Sequence, residues 1–153
     1  MATQHASETH PHSTARIGDH PIHPMLIPFP ITCFILAFAA DIAYSRTSLT
    51  FWATGSRWLL GVGLVMAALA AVAGLTDYVG DTRLRSSTDA LKHMLANVTA
   101  VVLEIVNFVL RLNNSDFIAS TGVYISGVVV LILLYSGWKG GDLVFKHGMG
   151  VED

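Results

Sequence analysis

Charge is scarce in this chain. Asp, Glu, Lys and Arg supply 13% of its 153 residues, against about 25% in a typical soluble domain. Hydrophobic residues reach 52% and the mean hydropathy is +0.54, a balance that excludes a water-soluble domain and leaves room for one membrane domain. Cysteine is limited to Cys33, inside an apolar stretch, so no intramolecular disulfide can form and the redox compartment is not indicated. No strongly basic run is present and the net charge is −2, which sets aside nucleic acid and a polybasic headgroup patch. The N-terminal segment lacks the apolar core of a secretory signal, so the first span is expected to stay in the mature protein. Neither an activated Ser or Cys nucleophile nor a nucleotide loop is found. The "GVG" at Gly61–Gly63 is too short for a phosphate loop and suits helix packing, and hydrolase chemistry is set aside.

What the chain does have is apolar length. Residues 1–19, rich in His, Ser and Thr without periodicity, read as a mobile polar tail whose His5, His10 and His12 are solvated. A four-span domain follows over 20–153, its apolar segments at about 24–44, 58–79, 94–110 and 118–138. Each has about the twenty residues that cross a hydrocarbon core. In lipid the backbone must satisfy itself, so these are helices. Short polar turns make neighbours antiparallel, and the expected fold is an all-α integral membrane four-helix bundle in contact with the lipid bilayer. Tyr44, Trp52, Trp58, Tyr78 and Trp138 mark the span ends as an interfacial belt. On the second span Gly63, Ala67, Ala70 or Ala71, and Gly74 form a small-residue stripe that admits a close neighbour.

That topology returns the start of helix one, the end of helix two, the start of helix three and the end of helix four to a single face. His20 and His23, Asp77, His93 and His147 therefore share it, and the opposite face holds no histidine. Four histidines and a carboxylate at one end of a narrow bundle are the ligand inventory of a haem or a transition-metal site. The HxxH spacing of His20 and His23 lacks the glutamate and the helix of a zinc peptidase. His23 and His93 are the strongest pair, each in the first turn of a different helix. Prolines 28 and 30 inside helix one predict either a kink near its start or a helix that begins late, with "HPIHP" as an extended lead-in.

Helix three carries a second pattern. His93, Asn97, Ala100, Glu104, Asn107 and Arg111 share one face, a polar ladder that predicts a path from the histidine face to the other. Glu104, with Asn97 and Asn107, is a candidate proton path or a buried acid bonded to a neighbour. Asp41 is expected to pair with Arg46, Arg57 or Arg111 in a structural role. Arg16, Arg83, Arg85, Lys92, Lys139 and Lys146 flank the histidine face, against Arg46, Arg57 and Arg111 on the other, a bias that predicts both termini in the cytoplasm.

The stretches "HPIHPMLIPFPI", "GLTDYVG", "LKHMLAN" and "GWKGGDLVFKHGMGV" together resemble domain of unknown function 2231, an uncharacterised prokaryotic family of four-span membrane proteins. The resemblance covers nearly the whole chain after the tail and implies the prokaryotic inner membrane. It also implies that His20, His23, Asp77, His93 and the Gly140–Gly141 pair belong to the family signature, with His147 less secure. Relatives fused to Rieske-type iron–sulfur domains imply redox chemistry and a redox partner protein.

The leading expectation is a small electron-transfer protein with one b-type haem on His23 and His93, where His20, His147 and Asp77 orient the imidazoles and tune the potential. The rival is a non-haem Zn, Cu or Fe ion on His20, His23, His93 and Asp77. A third reading, of another class, is a cofactor-free scaffold or partner subunit. Whether the chain is an enzyme is left open by its sequence.

Overall fold

Proline decides how the first helix begins. In the computed structural model, which describes residues 13–149, a short helix α1 (Ile22–Leu26) ends before Ile27, and α2 (Pro28–Thr47) begins with Pro28 at its first position, where the missing amide costs nothing. The helical path continues through Ile27, whose N–H donates to His23 C=O at 3.1 Å and whose carbonyl accepts from Ile31 N–H at 3.4 Å, so α1 and α2 form one span. Ser48, in the left-handed region at φ 55°, ends α2, and α3 (Thr50–Gly80) turns back after two residues. A short α4 (Thr82–Ser86), capped by the Asp81 carboxylate on Arg83 N–H at 2.8 Å, leads into α5 (Thr88–Arg111), capped by the Ser87 hydroxyl on Ala90 N–H at 3.3 Å. A π-helical turn, Ile118–Gly122, runs into α6 (Val123–Phe145).

Four helical stretches, Ile22–Thr47, Thr50–Gly80, Thr88–Arg111 and Ile118–Phe145, are long and apolar enough to cross a membrane, and the chain is an all-α membrane bundle. The elements outrun the apolar segments read from sequence. The 31 residues of α3 extend about 46 Å at 1.5 Å per residue, beyond a hydrocarbon core of about 30 Å. Its first turns, with Arg57, therefore reach past the apolar run that sequence detects.

The polar segment also departs from expectation. From Ser13 onward it is ordered: β1 (Arg16–Ile17) pairs antiparallel with β2 (His20–Pro21) around Gly18 at φ 60°, and Ile22 N–H donates to Ala15 C=O at 2.9 Å. Its polarity, read as a sign of a mobile tail, supplies hydrogen bonds to the bundle. His5, His10 and His12 lie outside the described residues.

The helices form two hairpins, α2 with α3 and α5 with α6, and the hairpins meet through α2 against α6 and α3 against α5. This leaves α2 and α5 on one diagonal. The second hairpin repeats the contacts of the first. Phe38 and Phe108 lie 70 residues apart and Gly61 and Gly127 lie 66 apart. The Phe38 ring packs on Gly127, while the Phe108 ring packs on Gly61. Reciprocal contacts of this kind are those of an approximate two-fold axis running along the bundle.

Along that axis polar and apolar layers alternate. Phe34, Ala37, Leu60 and Ala67 form a buried middle layer with Val101 and Leu133 packed on it, and Ala100 is 1% exposed at the same level of α5. The polar ladder expected along helix three is therefore interrupted. It separates into a histidine end, around His93 and Asn97, and an arginine end, around Glu104, Asn107 and Arg111.

Candidate cofactor site at the histidine end

His23 on α1 and His93 on α5 meet at the histidine end of the axis. Their ring centroids lie 6.2 Å apart, with the ring planes 86° to one another. Each ring is held the same way by the second helix of its own hairpin. His23 Nδ1 lies 2.8 Å from the carbonyl oxygen of Ala70, and His93 Nδ1 lies 2.8 Å from that of Ser136. A carbonyl only accepts, so both Nδ1 atoms carry the proton, and Nε2 is the atom through which the neutral ring would bind a ligand.

One turn beyond each carbonyl is a glycine that gives the ring its space. A Cβ on Gly74 would stand 2.9 Å from His23 Nδ1, and one on Gly140 would stand 3.0 Å from His93 Cε1. Ala70 and Ser136, like Gly74 and Gly140, are 66 residues apart, and the two histidines are 70 apart. The site is therefore built twice by equivalent parts of the two hairpins. The small-residue stripe of the second span has its reason here: Gly63 takes the Phe34 ring and Gly74 takes His23.

Asn97, one turn after His93, donates its amide to His93 Nε2 at 3.0 Å and to His93 C=O at 2.9 Å. The Ser136 hydroxyl stands 3.1 Å from His93 Nδ1. Among the described residues His23 Nε2 has no hydrogen-bond partner, so it is the open ligand position of the pair.

The other residues singled out in the sequence lie elsewhere. His20 is exposed on β2. His147 is also exposed, with Nε2 3.4 Å from Asp89 Oδ2. That contact belongs to a clamp in which Lys139 bridges Asp89 and Asp142 at 2.9 and 3.1 Å, tying α5 to α6. Asp77 is 3% exposed and its Oδ1 accepts from Ser13 Oγ at 2.9 Å and Ala15 N–H at 2.7 Å. It anchors the segment that leads to His23 and makes no hydrogen bond to an imidazole among the described residues. Nor, among them, does any group of three or more His, Cys, Asp or Glu come together so as to hold a metal ion.

The arginine end has a sealed network. Arg111 and Asp41, both 0% exposed, pair bidentately, Nη1 to Oδ1 at 2.8 Å and Nη2 to Oδ2 at 3.0 Å. Of the three arginines considered for Asp41, it is Arg111 that binds it. Ser56 donates to Asp41 Oδ1, and Ser126 donates to Oδ2 at 2.7 Å. Asn107 accepts from Arg111 and donates to Glu104 Oε2 at 2.9 Å. Gly122, in the π-helical turn, lets Arg111 and Asn107 approach: a Cβ there would be 3.0 Å from Arg111 Nη2. Ser56, Ser126 and Ser136 went unnoticed in the sequence because a single serine in an apolar helix gives no periodic signal. Gly74, in the small-residue stripe, and Gly140, in the glycine pair, are both visible in the sequence, and their 66-residue spacing relates them to one another.

Compared with known proteins, the chain matches over residues 19–153 the family model described as a predicted membrane protein (DUF2231). No curated protein and no solved structure matches it.

Proposed function

We propose that this chain, which belongs to the DUF2231 family of predicted membrane proteins, holds a b-type haem at its histidine end, with His23 and His93 as axial ligands. The carrying observation is the pair of imidazoles 6.2 Å apart. Two imidazoles that each bound one metal through Nε2 at about 2.0–2.1 Å would have centroids about 6 Å apart, and His23 and His93 would hold the group in this way.

Ligand number supports haem over a bare ion. A structural or catalytic Zn, Cu or Fe site draws three or four ligands from the protein, and the described residues bring together no such set. Haem iron needs only the two axial positions. Both rings have the Nδ1–H tautomer fixed by a helix carbonyl, the arrangement that orients a ligating histidine and strengthens its Nε2 as a donor. Asn97 would give up its bond to His93 Nε2 and keep the one to His93 C=O. Gly74 and Gly140 hold the rings in place without crowding them. A bound haem supplies one-electron transfer at this end of the bundle.

The surplus of Lys and Arg around the histidine end, six against three, supports placing it at the cytoplasmic face of a prokaryotic inner membrane. A redox partner protein would then dock from the cytoplasm.

Absorption spectra and metal analysis of the purified protein test this reading. A Soret band is expected in the wild type and in His20→Ala and His147→Ala, and its loss in His23→Ala and His93→Ala at equal folded yield. Full retention in either of the last two refutes the assignment. Stoichiometric Zn, Cu or Fe without a Soret band selects the non-haem reading. A protein that takes up neither haem nor metal selects the cofactor-free scaffold.

A further inference from the structure

We infer that Glu104 is a proton-binding site of the membrane interior, loaded from the arginine end of the bundle and closed to the histidine end. The observation is an orphaned atom. Glu104 is 0% exposed, and its Oε1 is the one buried side-chain nitrogen or oxygen among the described residues without a hydrogen-bond partner. Leaving a buried carboxylate oxygen bare is costly, and more so in a bundle surrounded by lipid. Something has to bind it.

The neighbours decide what. The charged groups facing Glu104 are Arg111 on its own helix and Asp41 from α2, while α3 and α6 bring the hydroxyls of Ser56 and Ser126. A metal cation needs several oxygens, and here they are committed. Asp41 Oδ1 accepts from Arg111 and Ser56, Asp41 Oδ2 from Arg111 and Ser126, and Asn107 Oδ1 from Arg111. The Arg111 guanidinium also repels a metal ion. A proton requires one lone pair and no further ligands. It forms an O–H bond at Oε1 and leaves Oε2 to accept from Asn107 as before. Asp41 and Arg111 neutralise one another, so the added proton leaves the cluster without net charge.

The route is one-sided. Polar groups continue from Glu104 to this end, through Asn107, the Arg111 guanidinium and the Arg111 carbonyl, which accepts from Arg57 Nε at 3.2 Å; they release no proton themselves but give water a polar lining along which to bring one. Arg57 Nη2 in turn donates to Ser115 Oγ, in the connection before the π-helical turn. Toward the histidines the next level is Ala100, with Phe34, Ala37, Leu60 and Ala67, and among the described residues none of the buried Ser, Asp, Glu, Asn or Arg side chains joins it. Water at the Ser115 face is the proton source. This site stands whether or not haem binds His23 and His93.

Infrared spectroscopy of the full chain in uniformly oriented proteoliposomes, with impermeant buffers on each side, tests the inference. The expected result is a protonated-carboxyl carbonyl band that shifts on labelling with 13C-glutamate, is lost in Glu104→Gln, and changes intensity with the pH on the Ser115 side alone. The chain has three glutamates, Glu8, Glu104 and Glu152, so labelling separates Glu104 from Asp41 and the variant separates it from the other two. If Glu104→Gln does not fold, 13C-glutamate labelling of Glu8→Gln/Glu152→Gln, in which Glu104 is the one glutamate left, with the same one-sided pH changes still decides. Absence of a Glu104 band at every pH overturns the inference, as does a Glu104 band that follows the histidine-side buffer.

Discussion

Replacing Asp41 by Asn changes one atom and leaves the fully buried Arg111 guanidinium without its carboxylate. Two charge-assisted bonds, at 2.8 and 3.0 Å, lose their ionised acceptor, and both side chains are closed off from bulk solvent. Removing one partner of a buried pair costs about 3–5 kcal/mol. Arg111→Met should cost as much, by stranding Asp41 with only Ser56 and Ser126. In Asp41→Asn/Arg111→Met no charge is stranded and the serines keep an amide oxygen to donate to. The double variant should therefore lose only about 1–2 kcal/mol, the scale of a few neutral hydrogen bonds. The cycle then gives a coupling of about 4 kcal/mol or more, a large share of a domain stability of about 5–15 kcal/mol. Unfolding by SDS in mixed micelles, followed by the fluorescence of Trp52, Trp58 and Trp138, measures all four corners. Single variants that cost under about 1 kcal/mol, or a double variant that costs the sum of the two, would refute the argument that burial makes this pair interdependent.

Glycine substitutions should divide by location. Gly74→Ala and Gly140→Ala push a methyl into an imidazole and should lose about 1–3 kcal/mol, whereas Gly55→Ala and Gly137→Ala meet nothing within 4 Å and should gain about 0.5–1 kcal/mol; the same unfolding assay ranks them, and equal effects at all four would remove the close-approach role. Asp77→Ala should free the Ser13–Pro21 segment and speed tryptic cleavage after the exposed Arg16, and an unchanged cleavage rate would show that the carboxylate does not anchor it. In a Cys33→Ser background, single cysteines beside His93 and Ser115 should be labelled from opposite sides of the membrane by an impermeant maleimide, and labelling of both from one side would break the four-span topology.

Spans were legible in the sequence because hydropathy over about twenty residues reports the lipid environment directly. Helix ends were not: α3 continues through Arg57 and Thr50 because its backbone bonds persist past the apolar run. The convergence of His23 and His93 could be read from crossing number alone, since both begin odd-numbered spans. His20 precedes the first span and His147 follows the fourth, which puts them on the same face, yet they lie on a hairpin and past a helix end, where shared sidedness does not bring side chains together. Asp77 illustrates a different limit. A carboxylate at a helix end among histidines suggests a ligand, and its actual partners, Ser13 and Ala15, belong to a segment with no periodicity to reveal that it docks. The interruption at Ala100 was missed because a helical-face count treats alanine as neutral filler, whereas in the bundle it belongs to an apolar seal.

The approximate two-fold axis bears on how such a bundle can exist at all. A residue on a true two-fold axis faces its own copy. Histidine tolerates this, since two neutral rings can share one ligand, and His23 and His93 are the same residue at equivalent places. Asp41 and Arg111 are also equivalent, 70 residues apart, and they are opposites. An assembly of two identical hairpins would have to bury Asp against Asp or Arg against Arg, two like charges in contact with no solvent between them. Covalent linkage of the hairpins removes that prohibition. One chain can put an acid in the first half and a base in the second, so that symmetry is kept where a shared ligand favours it and broken where charge requires it.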